Sequence, residues 1–218
     1  MVMRETVIRK IEENKVIAIV RGILGEDCLN LAKALYKGGV CVMEVTFDPN
    51  DPEERKKTAA TIGLLVQEMG DKMFIGAGTV TTVEMVEQAK AAGAQFIVSP
   101  NANAEVIRVT RYNDMVSIPG AYTPTEIKFA KDCGGDFIKV FPACSLGVSY
   151  FKNVHAPLSD CKLLAVGSVN ENNICDYLAA GAVGAGVASC LFKKEWVKAG
   201  EWQKITDATR SVMEKIGL

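Results

Sequence analysis

Two charged residues of this sequence stand inside apolar stretches, where they could do chemistry. Lys139 lies near the end of the run 136–143, and Glu44 lies near the end of the run 40–47. Such residues are almost never fully buried unless they are paired or used. Burial lowers the pKa of a lysine and raises that of a carboxyl group. A neutral lysine is a nucleophile toward carbonyl carbon, and a carboxyl group with a raised pKa suits proton transfer.

Two structural explanations compete with this chemistry. Lys139 could sit at a strand end and reach solvent, or Lys139 and Glu44 could form a buried ion pair. A buried pair stabilises poorly, because the cost of desolvation can cancel the Coulomb attraction. We therefore predict that Lys139 and Glu44 are catalytic residues.

The elements that must position these residues form a regular alternation. Eight strand-like runs occur, each followed by a helical or irregular segment, at residues 16–20, 40–47, 73–79, 95–100, 115–118, 136–143, 162–166 and 182–187. A short helix precedes them at 6–14, the segment 146–155 is irregular, and a helix broken near Gly200 spans 193–216. Strict alternation of strands and helices predicts an all-parallel sheet.

Such a sheet could close into a (β/α)8 barrel or lie open as a doubly wound sheet. The repeat is short and even, and no GxGxxG motif follows the first strand, so the barrel is favoured. We predict one (β/α)8 TIM-barrel domain, residues 1–218, with an additional N-terminal helix. Active sites of such barrels lie at the carboxyl ends of the strands, which is where Arg21, Glu44 and Lys139 occur.

Small residues follow the last two strands. Gly167-Ser168 follows the seventh strand, and the segment 186–189, which ends in Ser189, closes the eighth. These loops commonly form the phosphate site of a TIM barrel. Gly76-Ala77-Gly78-Thr79 lets the backbone approach a ligand closely, although a plain tight turn explains this short motif better. Together these segments predict a substrate that carries an anionic group.

Composition excludes several classes of function. The formal net charge is −1, so nucleic acid and membrane surfaces are not expected partners. Seven cysteines, with no CxxC spacing, and a single histidine disfavour a zinc site and fit a reducing cytoplasm. The N-terminus lacks the apolar run of a signal peptide, and no segment approaches the roughly 20 apolar residues of a membrane helix. We expect no metal and no cofactor.

Five ordered motifs resemble those of the 2-keto-3-deoxy-6-phosphogluconate (KDPG) and 4-hydroxy-2-oxoglutarate (KHG) aldolases. They read Glu-Val-Thr at 44–46, Gly-Ala-Gly-Thr-Val at 76–80, Ser-Pro at 99–100, Ile-Pro-Gly at 118–120 and Lys-Val-Phe-Pro-Ala at 139–143. The resemblance implies a homotrimeric (β/α)8 barrel that cleaves a small 2-keto-3-deoxy sugar acid. It also implies Lys139 as the Schiff-base lysine, Glu44 as general acid–base and Thr79 at the pyruvate carboxylate.

The resemblance further implies a distal phosphate site at Gly167, Ser168 and Ser189. Pro100 and Phe141 lie within the shared motifs and complete the predicted substrate-binding set. Two departures stand out. Asp48 occupies the position where many relatives have an arginine, and we expect Arg21 to supply the missing charge. Gly167-Ser168 replaces a pair of glycines, which leaves the phosphorylation of the substrate open.

Three other functions compete with the aldolase. A phosphate-binding isomerase or epimerase would keep the last two loops without needing Lys139 as a nucleophile. A metal-dependent aldolase would use Glu44 and Asp48 as ligands, a thin set without a nearby histidine. A non-catalytic ligand-binding barrel would leave the two buried charges unexplained.

Overall fold

The computed structural model describes residues 3–218, in which every strand pairs in parallel with its neighbours. The strands are β1 (Val16–Val20), β2 (Val42–Thr46), β3 (Phe74–Gly78), β4 (Phe96–Val98), β5 (Val116–Ile118), β6 (Gly120–Ala121), β7 (Ile138–Val140), β8 (Leu163–Val166) and β9 (Ala182–Val187). The helices are α1 (Met3–Asn14), α2 (Gly25–Lys37), α3 (Pro52–Met69), α4 (Val83–Ala91), α5 (Ala104–Tyr112), α6 (Pro124–Asp132), α7 (Ala143–Leu146), α8 (Val148–His155), α9 (Ile174–Ala179), α10 (Lys194–Lys198) and α11 (Trp202–Lys215).

The sheet runs in the order β5-β4-β3-β2-β1-β9-β8-β7-β6. Only Pro119 separates β5, which pairs with β4, from β6, which pairs with β7. The two are halves of one bent strand, and the Lys139 N–H donates to the Pro119 carbonyl at 2.9 Å across the closure. The predicted eight-stranded parallel barrel is therefore confirmed, with its fifth strand split.

The split has a local cause. Pro119 has no N–H to give to a sheet ladder, so pairing is interrupted there. Gly120 then passes close to the segment that follows β4, where a Cβ on Gly120 would lie 2.3 Å from the Pro100 carbonyl oxygen. The chain therefore bends at Pro119-Gly120, and the strand continues after the bend as β6.

The strands are buried on both faces, as their apolar sequences require. One core cluster fills the space between the strands and the surrounding helices, and a second fills the barrel interior. Val7 and Ile11 of α1 belong to the second cluster, so α1 closes the amino-terminal end of the barrel. Arg4 Nη2 lies 2.6 Å from Asp136 Oδ1, and Lys162 Nζ lies 2.6 Å from Glu12 Oε1, which holds α1 in place.

Some segments differ from the sequence-based expectation. The segment 146–155, expected to be irregular, contains α8. The break expected near Gly200 within the helical segment 193–216 is confirmed, since α10 and α11 lie on either side of that glycine. All seven cysteines are free thiols. Among residues 3–218, no helix has the length and apolar character needed to cross a membrane.

Candidate active site

The carboxyl ends of the strands surround a cavity of about 280 Å³. Every residue that the sequence predicted for the site lines this cavity: Arg21, Glu44, Thr79, Pro100, Lys139, Phe141, Gly167, Ser168 and Ser189. They come from segments spread across most of the chain, and the parallel barrel brings the ends of their strands together. The cavity is therefore the candidate active site.

Lys139 occupies the middle of β7, paired in register with Gly120 and Leu164, and its side chain points into the barrel. The residue is only 8% exposed. Within residues 3–218 its ammonium group has no hydrogen-bond acceptor or ion-pair partner, and it lies 4.9 Å from the centre of the Phe141 ring. Burial lowers its pKa, the Glu44 charge opposes that shift, and the Arg21 charge adds to it. The side chain is thus suited to act as a neutral amine.

Glu44 lies on β2 with 2% of its surface exposed. Burial raises its pKa, while the positive charges of Lys139 and Arg21 oppose the rise. Its carboxylate rests against the backbone of Gly78, where a Cβ would lie 2.6 Å from Glu44 Oε1. Glycine at 78 therefore leaves room for the carboxylate, which any larger residue would force to shift.

The two buried charges are not joined in an ion pair. No nitrogen–oxygen distance of 4.0 Å or less links Lys139 and Glu44 in the described part of the chain. Both side chains also line a small space of about 10 Å³ just inside the barrel, near the minimum that one water needs. The separation leaves both groups available to a ligand, and the buried-ion-pair explanation does not hold.

Arg21 follows β1 and reaches across the mouth of the barrel, where its Nη2 donates to Thr79 Oγ1 at 2.9 Å. Thr79 has a positive φ of 57°, which is rare for a β-branched residue. Asp48 lies outside the lining of the cavity, and its Oδ1 accepts the Asn50 N–H at 2.9 Å in a local turn. Arg21 is therefore the cation that lines the cavity beside Lys139.

Backbone donors also line the cavity, in the loops that follow β8 and β9. In residues 3–218 the N–H groups of Ser168, Val169 and Ser189 have no protein acceptor. Backbone N–H groups are strong hydrogen-bond donors, so a cluster of them around a cavity favours an acceptor-rich ligand. With the Ser168 and Ser189 hydroxyls, these groups can bind an anion.

Three further residues line the cavity without having been predicted: Ile19, Val166 and Val169. Gly186 and Ala188 also line it and belong to the predicted segment 186–189. Apolar and glycine residues carry no chemical signal in a sequence. The alternation of side chains along a strand could have found Ile19, since Ile17 and Ile19 share one parity and both face the barrel interior.

A groove on the helical surface lacks comparable chemistry. A groove of about 800 Å³ between α6 and α8 is mostly apolar, and its Lys128 and Asp132 pair with each other. The structure of residues 3–218 contains no group of three or more His, Cys, Asp or Glu side chains that could hold a metal ion.

The sequence and the fold are similar to those of known aldolases. The family model described as "KDPG and KHG aldolase" matches residues 7–208. The 2-dehydro-3-deoxy-phosphogluconate aldolase of Treponema pallidum is 34% identical over 214 residues, covering 98% of this chain and 99% of that protein. The 2-dehydro-3-deoxy-6-phosphogalactonate aldolase of Escherichia coli is 36% identical over 178 residues, covering 81% and 84%.

A solved structure of the KDPG aldolase from Legionella pneumophila, with pyruvate captured as a covalent carbinolamine intermediate, superposes with a TM-score of 0.83. It is 29% identical, and the match covers 94% of this chain and 97% of that one. The relatives thus include aldolases for both gluconate-derived and galactonate-derived acids. The family match, the two relatives and the shared barrel agree, and the chain belongs to the family of KDPG and KHG aldolases.

Proposed function

We propose that this protein is a class I aldolase in which Lys139 forms a Schiff base with a 2-keto acid. The observation that carries the proposal is a buried amine that has no hydrogen-bond acceptor within residues 3–218 and shares one cavity with a buried carboxylate. Because burial lowers the pKa of Lys139, it enlarges the neutral, nucleophilic fraction of the amine. The carbinolamine captured in the Legionella relative supports the same chemistry.

The cleavage follows from these two groups. The neutral Lys139 amine attacks the C2 carbonyl carbon, and loss of water gives an iminium ion that can accept an electron pair. Glu44, directly or through one water, takes the proton of the C4 hydroxyl. The C3–C4 bond then breaks, its electrons form the enamine, and an aldehyde leaves. Protonation of the enamine at C3 and hydrolysis of the iminium release pyruvate and restore Lys139.

We assign the two ends of the cavity to the two ends of the substrate. Arg21 and Thr79 bind the pyruvate carboxylate, since Arg21 shares the cavity lining with Lys139 and donates to Thr79 Oγ1. Ser168, Ser189 and the unpaired N–H groups beside them bind a distal phosphate, with Gly167 keeping the backbone close. Pro100 and Phe141 form the rim between the two ends. The whole chain, residues 1–218, acts as one catalytic domain.

The proposed substrate is KDPG, which gives pyruvate and glyceraldehyde 3-phosphate. A second candidate is 2-keto-3-deoxy-6-phosphogalactonate, because a relative that acts on the galactonate-derived acid is as similar as one that acts on the gluconate-derived acid. The unphosphorylated KHG, which gives pyruvate and glyoxylate, is the third.

The Schiff base is tested by trapping. The protein is incubated with pyruvate and borohydride, and peptides are analysed by mass spectrometry for an adduct on Lys139. Lys139→Met should abolish the adduct and cleavage, whereas Lys152→Met, an exposed lysine on α8, should change neither. Cleavage that persists in Lys139→Met without an adduct would refute the proposal, and sensitivity to chelators would then favour a metal-dependent aldolase.

The substrate is tested by measuring kcat/KM for KDPG, its galactonate epimer and KHG, with pyruvate release coupled to lactate dehydrogenase. A preference for KDPG supports the first candidate, and a preference for the epimer supports the second. Isomerisation or epimerisation of a phosphorylated sugar without pyruvate release would point to the isomerase alternative. Glu44→Gln should lower kcat by about 10²–10⁴-fold and still form the trapped adduct.

We also propose that the chain assembles as a homotrimer, as the family resemblance implies. Large apolar side chains remain exposed beside the site: Tyr122 at 40%, Phe129 at 46% and Phe141 at 39%. They line a groove of about 420 Å³, and exposed apolar patches commonly mark protein interfaces. Light scattering should give three times the chain mass of 23.5 kDa, and a monomer mass would refute the assembly.

A further inference from the structure

The loop after β8 holds an unusual backbone conformation. Gly167 and Ser168 both have positive φ, at 108° and 56°. Glycine adopts this region freely, but serine pays a steric penalty through its Cβ. Such residues persist where the surrounding structure fixes them, and they concentrate at functional sites. Ser168 lines the cavity, so what fixes its conformation bears on ligand binding.

Two asparagines fix the carbonyl group of Ser168. Asn170 Nδ2 donates to the Ser168 carbonyl oxygen at 3.3 Å, and Asn173 Nδ2 donates to the same oxygen at 3.1 Å. The two asparagines also hold each other, because Asn173 Oδ1 accepts the Asn170 N–H at 2.9 Å. The Asn172 N–H fixes Asn170 Oδ1 at 2.9 Å, which orients the amide of Asn170.

The neighbouring loop anchors the other side of Ser168. A Cβ on Gly167 would lie 3.2 Å from Pro142 Cα and 3.3 Å from Ala143 N, so the loop after β8 packs closely on the loop after β7. The carbonyl of Ser168 is bound by the asparagines, while its N–H and that of Val169 have no acceptor in residues 3–218. The carbonyl is thus tied down, and the donors remain free for a ligand.

We propose that Asn170 and Asn173 are positioning residues that hold Ser168 in its left-handed conformation and thereby shape the subsite for the distal phosphate of the substrate. This inference rests on the proposed function, since it concerns the phosphate end of the same cavity. A glycine at 168 would adopt this conformation without strain. At Ser168 the hydrogen bonds from the two asparagines offset the strain. Neither asparagine lines the cavity, so both act through Ser168.

The first test compares substrates. The double variant Asn170→Ala/Asn173→Ala should raise KM for the phosphorylated sugar acid about tenfold, because the left-handed conformation is no longer held, with kcat little changed. For unphosphorylated KHG, kcat/KM should stay within about twofold. Asn172→Ala is the matched control, because only its backbone N–H contributes to the asparagine pair. An equal loss for both substrates would indicate general damage to the site and overturn the inference.

The second test asks whether the asparagines act through the conformation of Ser168. In a Ser168→Gly background positive φ is free of strain, so the double asparagine substitution should have almost no further effect on KM. In a Ser168→Ala background the strain remains, and the tenfold effect should remain with it. An effect of equal size in both backgrounds would overturn the inference.

The two proposals fail in different ways. If the wild-type protein neither cleaves a keto acid nor forms an adduct at Lys139, the proposed function fails, and inorganic phosphate then serves as the probe. Calorimetric titration should still give about tenfold weaker phosphate binding in the double variant than in Asn172→Ala. If the wild-type protein cleaves KHG but neither prefers phosphorylated acids nor binds phosphate, the aldolase stands and the asparagine inference fails.

Discussion

Burial moves the two central ionisable groups in opposite directions. The pKa of Lys139 is lowered and that of Glu44 is raised, so each is displaced toward its neutral form. A neutral amine can attack a carbonyl, and a carboxyl group with a raised pKa can exchange protons nearer to neutral pH. Neither group would show this behaviour at the surface, where water stabilises the charged forms.

Removal of the Arg21 side chain should change two properties, the pKa of Lys139 and the KM for pyruvate. Its charge lowers the pKa of Lys139, so Arg21→Met should raise that pKa. The neutral fraction of the amine then falls at a given pH, and the acid limb of adduct formation with pyruvate should move to higher pH. Loss of a charged hydrogen-bond donor should also raise KM for pyruvate about tenfold or more.

The measurement is the initial rate of borohydride-trapped adduct formation as a function of pH and pyruvate concentration. Arg21→Lys serves as the control, because it keeps the charge and should leave the acid limb nearly in place. An unchanged KM in Arg21→Met would remove Arg21 from the substrate site.

Gly78 should be essential for the position of Glu44. In Gly78→Ala the new methyl group would lie 2.6 Å from Glu44 Oε1 and 2.9 Å from Thr46 Cγ2, so the carboxylate must move. We expect kcat to fall about 100-fold or more, in line with the loss of a general acid–base.

The control is Gly63→Ala on α3, where the nearest atom would be 3.9 Å away and activity should be unchanged. Placing Gly78→Ala in a Glu44→Gln background separates displacement of the carboxylate from general damage. The alanine should then cost little further activity, and a full additional loss would contradict the explanation.

At the scale of elements, sequence periodicity predicted the parallel barrel, the N-terminal helix and the strand that carries Lys139. It could not predict that Pro119 bends the fifth strand without ending it, because the hydrogen bonds that continue the strand come from β7, which is distant in sequence. The helix α8 was missed for a similar reason. Phe151 and Val154 are buried against the rest of the core, and that packing stabilises a helix that is too short to be stable by itself.

The tie between α1 and the barrel should contribute stability without affecting catalysis. Asp136 accepts hydrogen bonds from Arg4 Nη2 at 2.6 Å and the Ser117 N–H at 2.9 Å, and its side chain is 5% exposed. Asp136→Asn weakens a largely buried pair, which should lower the free energy of unfolding by about 2 kcal/mol. Because Asp136 precedes β7, it lies at the end of the barrel opposite the cavity, and kcat/KM should not change.

Urea denaturation measures the first effect, and steady-state kinetics measures the second. Asp132→Asn is the matched control, because its ion pair with Lys128 is exposed and should contribute little to stability. A loss of activity in folded Asp136→Asn protein would contradict the expectation that the amino-terminal end of the barrel does not affect catalysis at the carboxyl end.

At the scale of the whole molecule, the barrel gathers residues from almost the full length of the chain into one cavity. The sequence predicted which residues would meet, because carboxyl ends of parallel strands converge. It could not predict that Arg21 reaches Thr79, that Ser168 adopts a positive φ, or that Lys139 and Glu44 stay unpaired. Those features depend on side-chain conformations and loop contacts that only the assembled barrel determines.

A charge placed on the exposed apolar surface beside α6 should weaken the proposed assembly of subunits. In Phe129→Lys a cation replaces a half-exposed ring that lines both grooves beside α6. If that surface is the subunit interface, the average mass in light scattering should fall toward that of one chain. Tyr112→Lys, at a residue that is 90% exposed and lies outside these grooves, should leave the mass unchanged, and equal masses for both variants would exclude this surface as the interface.

Two residues belong to both the catalytic cavity and the neighbouring apolar groove. Pro100 and Phe141 line each of them, and the Phe141 ring lies beside the Lys139 ammonium group. A subunit docked in the groove would therefore press on one wall of its neighbour's active site. Specific activity should then depend on protein concentration, falling on dilution as subunits separate, so that turnover itself reports the state of assembly.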